Sequence, residues 1–280
     1  MAAASARRAW TAHLLLAAGA LLMVYPLLWM AGSSFKPDSA IFTEMSPLPH
    51  ALDPANYIRG WVLGSGASFT TFYLNTFVVC AGAIVGNLLS CSLAAYAFAR
   101  IRFRGRGLWF AIMLGTLMLP FHVTVIPQYV VFDALGWTNT PLPLIVPKFF
   151  AVDAFFVFLM VQFIRSLPLE LEEAALLDGC TRFGVFRRVI LPLIRPALVT
   201  TTIFTFIWTW NDFFSQLLYL SSEDRYTISL GLRQFLDASG QSSWGPMFAM
   251  TTLSLLPVLL VFLFFQRRLV EGIATTGLKG

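Results

Sequence analysis

Four polar side chains interrupt stretches that are otherwise apolar. Lys148 and Asp153 fall near the start of one apolar run, and Asn211 with Asp212 falls far along another, flanked by Trp208 and Trp210. If these runs cross lipid, an ionised group at their depth costs ~2.5 to 3.5 kcal/mol even on the gentler insertion scales, so such residues mark a polar path. Amide and carboxylate hydrogen bonding beside an indole face is the usual chemistry for holding a carbohydrate ring. A structural reading is also open: Lys148 snorkels to the interface, Asp153 pairs with it, and the tryptophans form an aromatic belt. His122, between Pro120 and Pro127, can titrate, although an isolated histidine is more often a packing residue. No cluster of His, Cys or carboxylate supplies metal ligands or a nucleophile, which argues against an integral membrane enzyme. Cys80, Cys91 and Cys180 have neither the pairing nor the spacing of a disulfide framework or metal site and read as small packing residues.

A second group lies in residues 166–192, SLPLELEEAALLDGCTRFGVFRRVILP. Pro168 stands where a helix begins at no cost in hydrogen bonds, and Glu170, Glu172 and Glu173 suit its positive end. Gly179 suits the left-handed residue that ends it, after about ten residues. Thr181 then caps a second helical turn in which Phe183, Phe186 and Ile190 recur at spacings of three and four, and Pro192 closes the segment. Two short helices around a glycine bend form either a knob that fits a groove on another protein or an interfacial amphipathic segment.

The elements that position these residues follow from composition. Of 280 residues, 58% are hydrophobic and 12% charged, with 27 Phe and eight Trp. A soluble domain carries charge near ~25%, so the apolar excess must face lipid. The net charge of +5 does not signal nucleic acid, because the basic residues fall between apolar runs and form no stripe with interleaved aromatics. A bilayer core about 30 Å thick needs some 20 apolar residues. Six such runs are expected, over Leu14–Ala31, Tyr73–Phe98, Leu108–Phe132, Leu144–Ile164, Ile194–Leu220 and Met247–Gln266. The first is too long for a secretory signal and lacks a small-residue cleavage site, so it reads as an uncleaved span. Pro120, Pro127 and Pro257 are expected to kink the third and sixth spans.

Basic loops stay on the cytoplasmic side. Fourteen of the nineteen Lys and Arg, from Arg7 and Arg8 through Arg100–Arg106, Arg165–Arg195 and Arg267 to Lys279, fall on one side. Lys36, Arg59, Lys148, Arg225 and Arg233 fall on the other with most of the acids. The expectation is an all-α membrane protein with both termini cytoplasmic. Residues 1–13 are an inner segment, 14–266 one membrane domain, and 267–280 an inner tail. The external loops are 32–72 and 221–246, and 166–192 is an inner loop between spans four and five.

On these residues rests a resemblance. Glu173, Ala174, Ala175, Gly179, Val189, Leu191 and Pro192 keep the spacing of the EAA loop of ATP-binding-cassette importer permeases, with Val189 where that family usually has Ile. TFIWTWNDFF (205–214), SSEDRYTISLGL (221–232) and RRLVEGIATTGLKG (267–280) are similar to parts of carbohydrate-uptake permeases, in particular the smaller partner of the maltose-type pair. The resemblance implies a permease subunit of a binding-protein-dependent sugar importer. Its partners would be a second permease, two ATPase subunits and an extracytoplasmic sugar-binding protein. Glu173 to Gly179, with Asp178, Leu191 and Pro192, would seat in the ATPase, and the 267–280 tail would reach it too. The chain has no GxxxxGK[ST] loop, so it binds no cofactor of its own, and ATP with magnesium belongs to the partner ATPase. A sugar phosphate or polyol as solute remains an alternative. So does an ion-coupled carrier using Asp153 and Asp212, although such carriers usually have inverted repeats and more spans.

Overall fold

The computed structural model describes residues 2–62, 68–236 and 242–277, with side chains absent from the description before Trp10, at 11 and beyond Gln266. The C-terminal tail's side chains, and parts of both external loops, therefore lie outside the described residues. Among those described, helices supply every regular element, and one isolated bridge joins Val62 to Ser68. Four segments are long and apolar enough to cross a membrane: Ala12–Ser33, Phe69–Arg100, Leu142–Ser166 and Trp244–Gln266. Two bent pairs raise the number to six if each counts as one span.

The bends correct the expected continuous helices. Pro120 does more than kink the third run: Arg106–Thr116 and Phe121–Ala134 meet at 100°, with Pro120 extended between them. Its ring forbids the hydrogen bond and disfavours helix at the preceding residue. Pro127, by contrast, stays inside its helix. The fourth run, expected as helix from Leu144 to Ile164, breaks at Ala151, and the fifth, expected to Leu220, ends as helix at Asn211. Of the apolar stripe in the inner loop, Phe186 and Ile190 are buried whereas Phe183 is 63% exposed.

The chain forms two units. In the first, residues 1–70 with 231–256, the expected external loop carries the short helices Asp38–Ile41 and Ala55–Trp61. Lys36 is wholly buried there, its ammonium donating to the carbonyls of Glu44 and Ser46 at 2.7 Å each. Asn56 donates to the carbonyls of Ser34 and Lys36, at 3.0 and 2.9 Å.

The second unit, residues 71–230 with 257–280, holds the larger core. Phe156, Met160 and Ile164 of the Ala154–Ser166 helix are buried in it together with Cys91, Ala95 and Tyr96 of the Phe69–Arg100 helix and with Val185, Ile190 and Ile194. Gly82 and Gly86 let the segment 142–150 lie close on the Phe69–Arg100 helix. A Cβ on Gly82 would stand 2.7 Å from Ile145, and one on Gly86 would stand 2.9 Å from Lys148 Cβ and 3.0 Å from its backbone carbonyl carbon. Small residues four apart are the common device for such approach between helices in lipid.

Candidate functional site

The polar residues of the fourth and fifth runs gather at the two helix breaks. Leu142–Ile145 tightens into a 3-10 turn over Val146–Phe150, Ala151 takes φ +53, and helix resumes at Ala154. This turn folds Lys148 back onto Asp153, its Nζ donating to the two carboxylate oxygens at 3.1 and 2.9 Å. From the neighbouring helix, Asn87 Nδ2 donates to Asp153 Oδ2 at 2.7 Å and to Thr205 Oγ1 at 3.1 Å, while Ser90 donates to the Lys148 carbonyl at 2.6 Å. Asn87 is fully buried. Its two bonds join three segments of the unit where water cannot substitute for either partner.

At the second break Asp212 is extended, with ψ 117, and its Oδ1 accepts the Ser215 N–H at 3.1 Å as the Phe214–Tyr219 helix begins. Asn211 turns back to the Ile207 carbonyl at 2.8 Å. Two cavities of about 550 Å³ each open beside these breaks. Lys148 and Asp212 border both; Asp153, Tyr219 and Trp137 border the first, and Trp208 and Asn211 the second. Trp208 is half exposed and lies over Phe156 with ring centroids 5.2 Å apart. Trp210 borders neither cavity. It is buried, with Phe77 and Phe206 each at 5.1 Å.

Residues 166–192 form a knob. Glu170–Leu177 ends in a Schellman motif: the Gly179 N–H donates to the Leu176 carbonyl and the Cys180 N–H to that of Ala175, both at 3.0 Å, with Gly179 at φ +85. Thr181 Oγ1 accepts the Gly184 N–H at 3.1 Å and caps Arg182–Val185, which runs on as a π turn over Phe186–Ile190. Ala175, Leu176, Val189 and Leu191 pack on the core of the unit. Glu173, Ala174, Asp178, Gly179 and Pro192 face outward, with Leu177 89% exposed.

What holds the knob was not read from the sequence. Arg100, counted there only as a cytoplasmic cation, is buried at the end of its helix. Its Nη2 donates to the carbonyls of Ile164 and Leu167 at 2.7 and 2.6 Å, and its Nε stands 2.6 Å from Glu172 Oε1. Burial pushes the Glu172 carboxyl above its ordinary range, while Arg100 and then Arg182 pull it back. Asn87, Tyr219 and the Gly82/Gly86 pair were missed as well. A lone amide in an apolar run and two glycines four apart were the available signals.

A family model described as the inner membrane component of binding-protein-dependent transport systems matches residues 86–275. The chain is 38% identical over 260 residues to the probable ABC transporter permease protein YurM of Bacillus subtilis, covering 93% of this chain and 85% of that protein. It is 32% identical over 274 residues to the trehalose/maltose transport system permease protein MalG of Thermococcus litoralis, covering 96% and 97%. With the diacetylchitobiose uptake system permease protein NgcG of Streptomyces coelicolor the identity is 31%, over 98% and 90%. A chain of a bacterial ABC transporter that imports the acidic polysaccharide alginate shares the fold, with a TM-score of 0.82 over 94% of this chain and 97% of that one, at 24% identity. A chain with broken, lipid-length helices, an inward-pinned knob and a family match over most of its length belongs to the inner membrane components of binding-protein-dependent transport systems.

Proposed function

We propose that this chain is one of two permease subunits of an ATP-driven sugar importer in a bacterial or archaeal cell membrane. In this reading it crosses the membrane six times, Arg106–Thr116 with Phe121–Ala134 forming the third span and Arg195–Asn211 the fifth, and both termini lie inside. The solute is a sugar, as in relatives named for diacetylchitobiose, arabinooligosaccharide and trehalose/maltose transport. An extracytoplasmic binding protein delivers it, and it passes between this chain and a second permease beside Lys148, Asp153, Trp208, Asn211 and Asp212. Two ATPase subunits carry ATP and magnesium, and this chain catalyses nothing. The C-terminal tail, residues 267–280, is a second contact with them.

One observation carries the coupling: the knob's outer face is free while its inner face is part of the core. Glu173, Asp178 and Leu177 offer acids and an apolar tip to a groove, and Arg100 fastens the helix behind them to two membrane helices. A push on the knob is then delivered to the spans as displacement of a rigid body, because packed elements are bistable and not continuously deformable. Asp153 as an ion-coupling carboxylate is disfavoured by its close pairing with Lys148 and Asn87.

The test is Gly179→Asp in the importer reconstituted with its partner subunits in proteoliposomes. The residue has φ +85, and a Cβ there meets nothing of this chain within 4 Å. The substitution therefore costs about 1–2 kcal/mol locally and otherwise acts on whatever covers the knob. ATP-driven uptake should be abolished with membrane insertion intact. Uptake equal to the unaltered protein's would remove the coupling assignment.

A further inference from the structure

We infer that the first cavity is a sugar subsite of this chain itself and that it admits uncharged sugars in preference to anionic ones. The inference rests on the sugar-importer reading and adds the chemical class of the solute. Its central observation is Tyr219. The residue is 4% exposed, borders the cavity, and its hydroxyl is buried with no hydrogen-bond partner among the described residues. A buried hydroxyl left unpaired costs about 1–3 kcal/mol and calls for an explanation, and one beside a cavity is explained by a ligand that pairs with it there. A sugar hydroxyl in the cavity is such a partner.

The wall around it is aromatic and prebuilt. The Tyr219 ring lies parallel to Tyr129, with centroids 6.2 Å apart, and edge-on to Phe132, which in turn stacks on Trp137 at 5.6 Å. Asn139 locks the Trp137 turn to the Tyr219 helix. Its N–H donates to the Tyr219 carbonyl at 2.7 Å, and its side-chain oxygen accepts the N–H groups of Ser221 and Ser222 at 3.1 and 3.0 Å. It does so at φ +57, and Ala151, next in the chain to the lining residues Phe150 and Val152, has φ +53. Strained residues of this kind persist where the surroundings over-determine them, and they cluster at ligand sites. Aromatic faces beside a few fixed polar groups suit a pyranose ring, whose faces are apolar and whose edge is hydroxylated.

The charge at the rim sets the class. Among the described residues, Lys148 is the one cation bordering the cavity, and Asp153 neutralises it at 2.9 Å. Asp212 has no such cation among the described residues; its Oδ1 accepts the Ser215 N–H. The rim is therefore net negative. A carboxylate or sulfonate on a sugar held roughly 10 Å away, at an effective dielectric near 20, is disfavoured on the order of tenfold relative to its uncharged counterpart.

The experiment uses the membrane complex of permease pair and ATPases in nanodiscs without the binding protein, so that only the membrane site selects. Saturation-transfer NMR gives dissociation constants for trehalose, diacetylchitobiose and digalacturonate. We expect at least one uncharged sugar to bind about tenfold or more tightly than digalacturonate. Tyr219→Phe, which removes one oxygen, should weaken that sugar about fivefold to tenfold, in line with one lost hydrogen bond. Trp137→Ala should weaken it at least as much, and Asp212→Asn should shift the uncharged-to-anionic ratio about tenfold towards digalacturonate. Unaltered dissociation constants in both Tyr219→Phe and Trp137→Ala would overturn the subsite, and digalacturonate binding as tightly as the uncharged sugars would overturn the selectivity. ATP-driven uptake of the same sugars by the full importer is measured in parallel. Uptake with an unaffected subsite leaves the importer reading standing, whereas no uptake of any sugar removes both.

Discussion

Replacing Arg100 by Leu should detach the knob while leaving the spans in the membrane. The guanidinium is 7% exposed and holds three groups at once: the Glu172 carboxylate and the carbonyls of Ile164 and Leu167. Removing one member of a buried ion pair strands the other charge at a cost of about 3–5 kcal/mol. Glu172→Gln is the informative comparison. The amide keeps the shape of the side chain and leaves an oxygen beside the guanidinium, so Glu172→Gln should cost less than Arg100→Leu, which removes every donor at once. The double variant Arg100→Leu with Glu172→Leu should recover more than half of the single Arg100 loss, since no charge is then stranded; what remains is the donor lost by two carbonyls, about 1 kcal/mol each. Hydrogen–deuterium exchange over residues 170–177 in the nanodisc complex reads the local opening of this helix. Arg100→Leu should accelerate it at least about a hundredfold, since each 1.36 kcal/mol is a factor of ten. ATP hydrolysis should continue while uptake per ATP falls. Equal effects of Arg100→Leu and Glu172→Gln, or a double variant worse than Arg100→Leu alone, would refute the stranded-charge reasoning.

Three further outcomes are expected. Because Glu172 has a raised pKa in the folded chain, the folded state keeps its proton longer than the unfolded one. Stability should therefore fall as pH rises from about 4.5 through the raised value and level off above it, a slope that thermal unfolding of Glu172→Gln should lack. Gly86→Ala drives a methyl to within 3.0 Å of the Lys148 backbone, so overpacking of about 1–3 kcal/mol should appear as a lowered midpoint in thermal unfolding, with uptake reduced. Asn139→Ala removes the acceptor for two N–H groups and leaves Ala at φ +57, and should lower stability by about 2–3 kcal/mol. Asn139→Gly, which tolerates that φ, should recover the backbone share of the loss.

The knob was legible because its determinants are local. Gly179 ends one helix and Thr181 starts the next through bonds spanning at most five residues, and both stand as their residue types demand. The breaks at Ala151 and Asn211 were not legible, since neither residue is a helix breaker by type. Ala151 is left-handed because Lys148, Asp153 and Asn87 converge around it, and Asn87 is distant in the chain. Arg100 and Glu172 were read by type as well, one as a loop cation and the other as a favourable charge at a helix start. Each has those properties, but the two stand 72 positions apart in the chain, and only the folded core brings them together. Trp210 and Trp208 show the same limit, as two indoles two positions apart face opposite surroundings.

The burial of Lys36 makes this chain unusually convenient to footprint with chemical labels. Its sequence has three lysines. The ammonium of Lys36 is sequestered between two carbonyls, and Lys279 lies on the inner side in the proposed orientation. A membrane-impermeant amine reagent applied from outside would then acylate one lysine side chain, Lys148, whose side chain is 28% exposed at the mouth of both cavities. The rate of that single modification would report, without any introduced probe, how often the site is open to the outer solution and when a solute shields it.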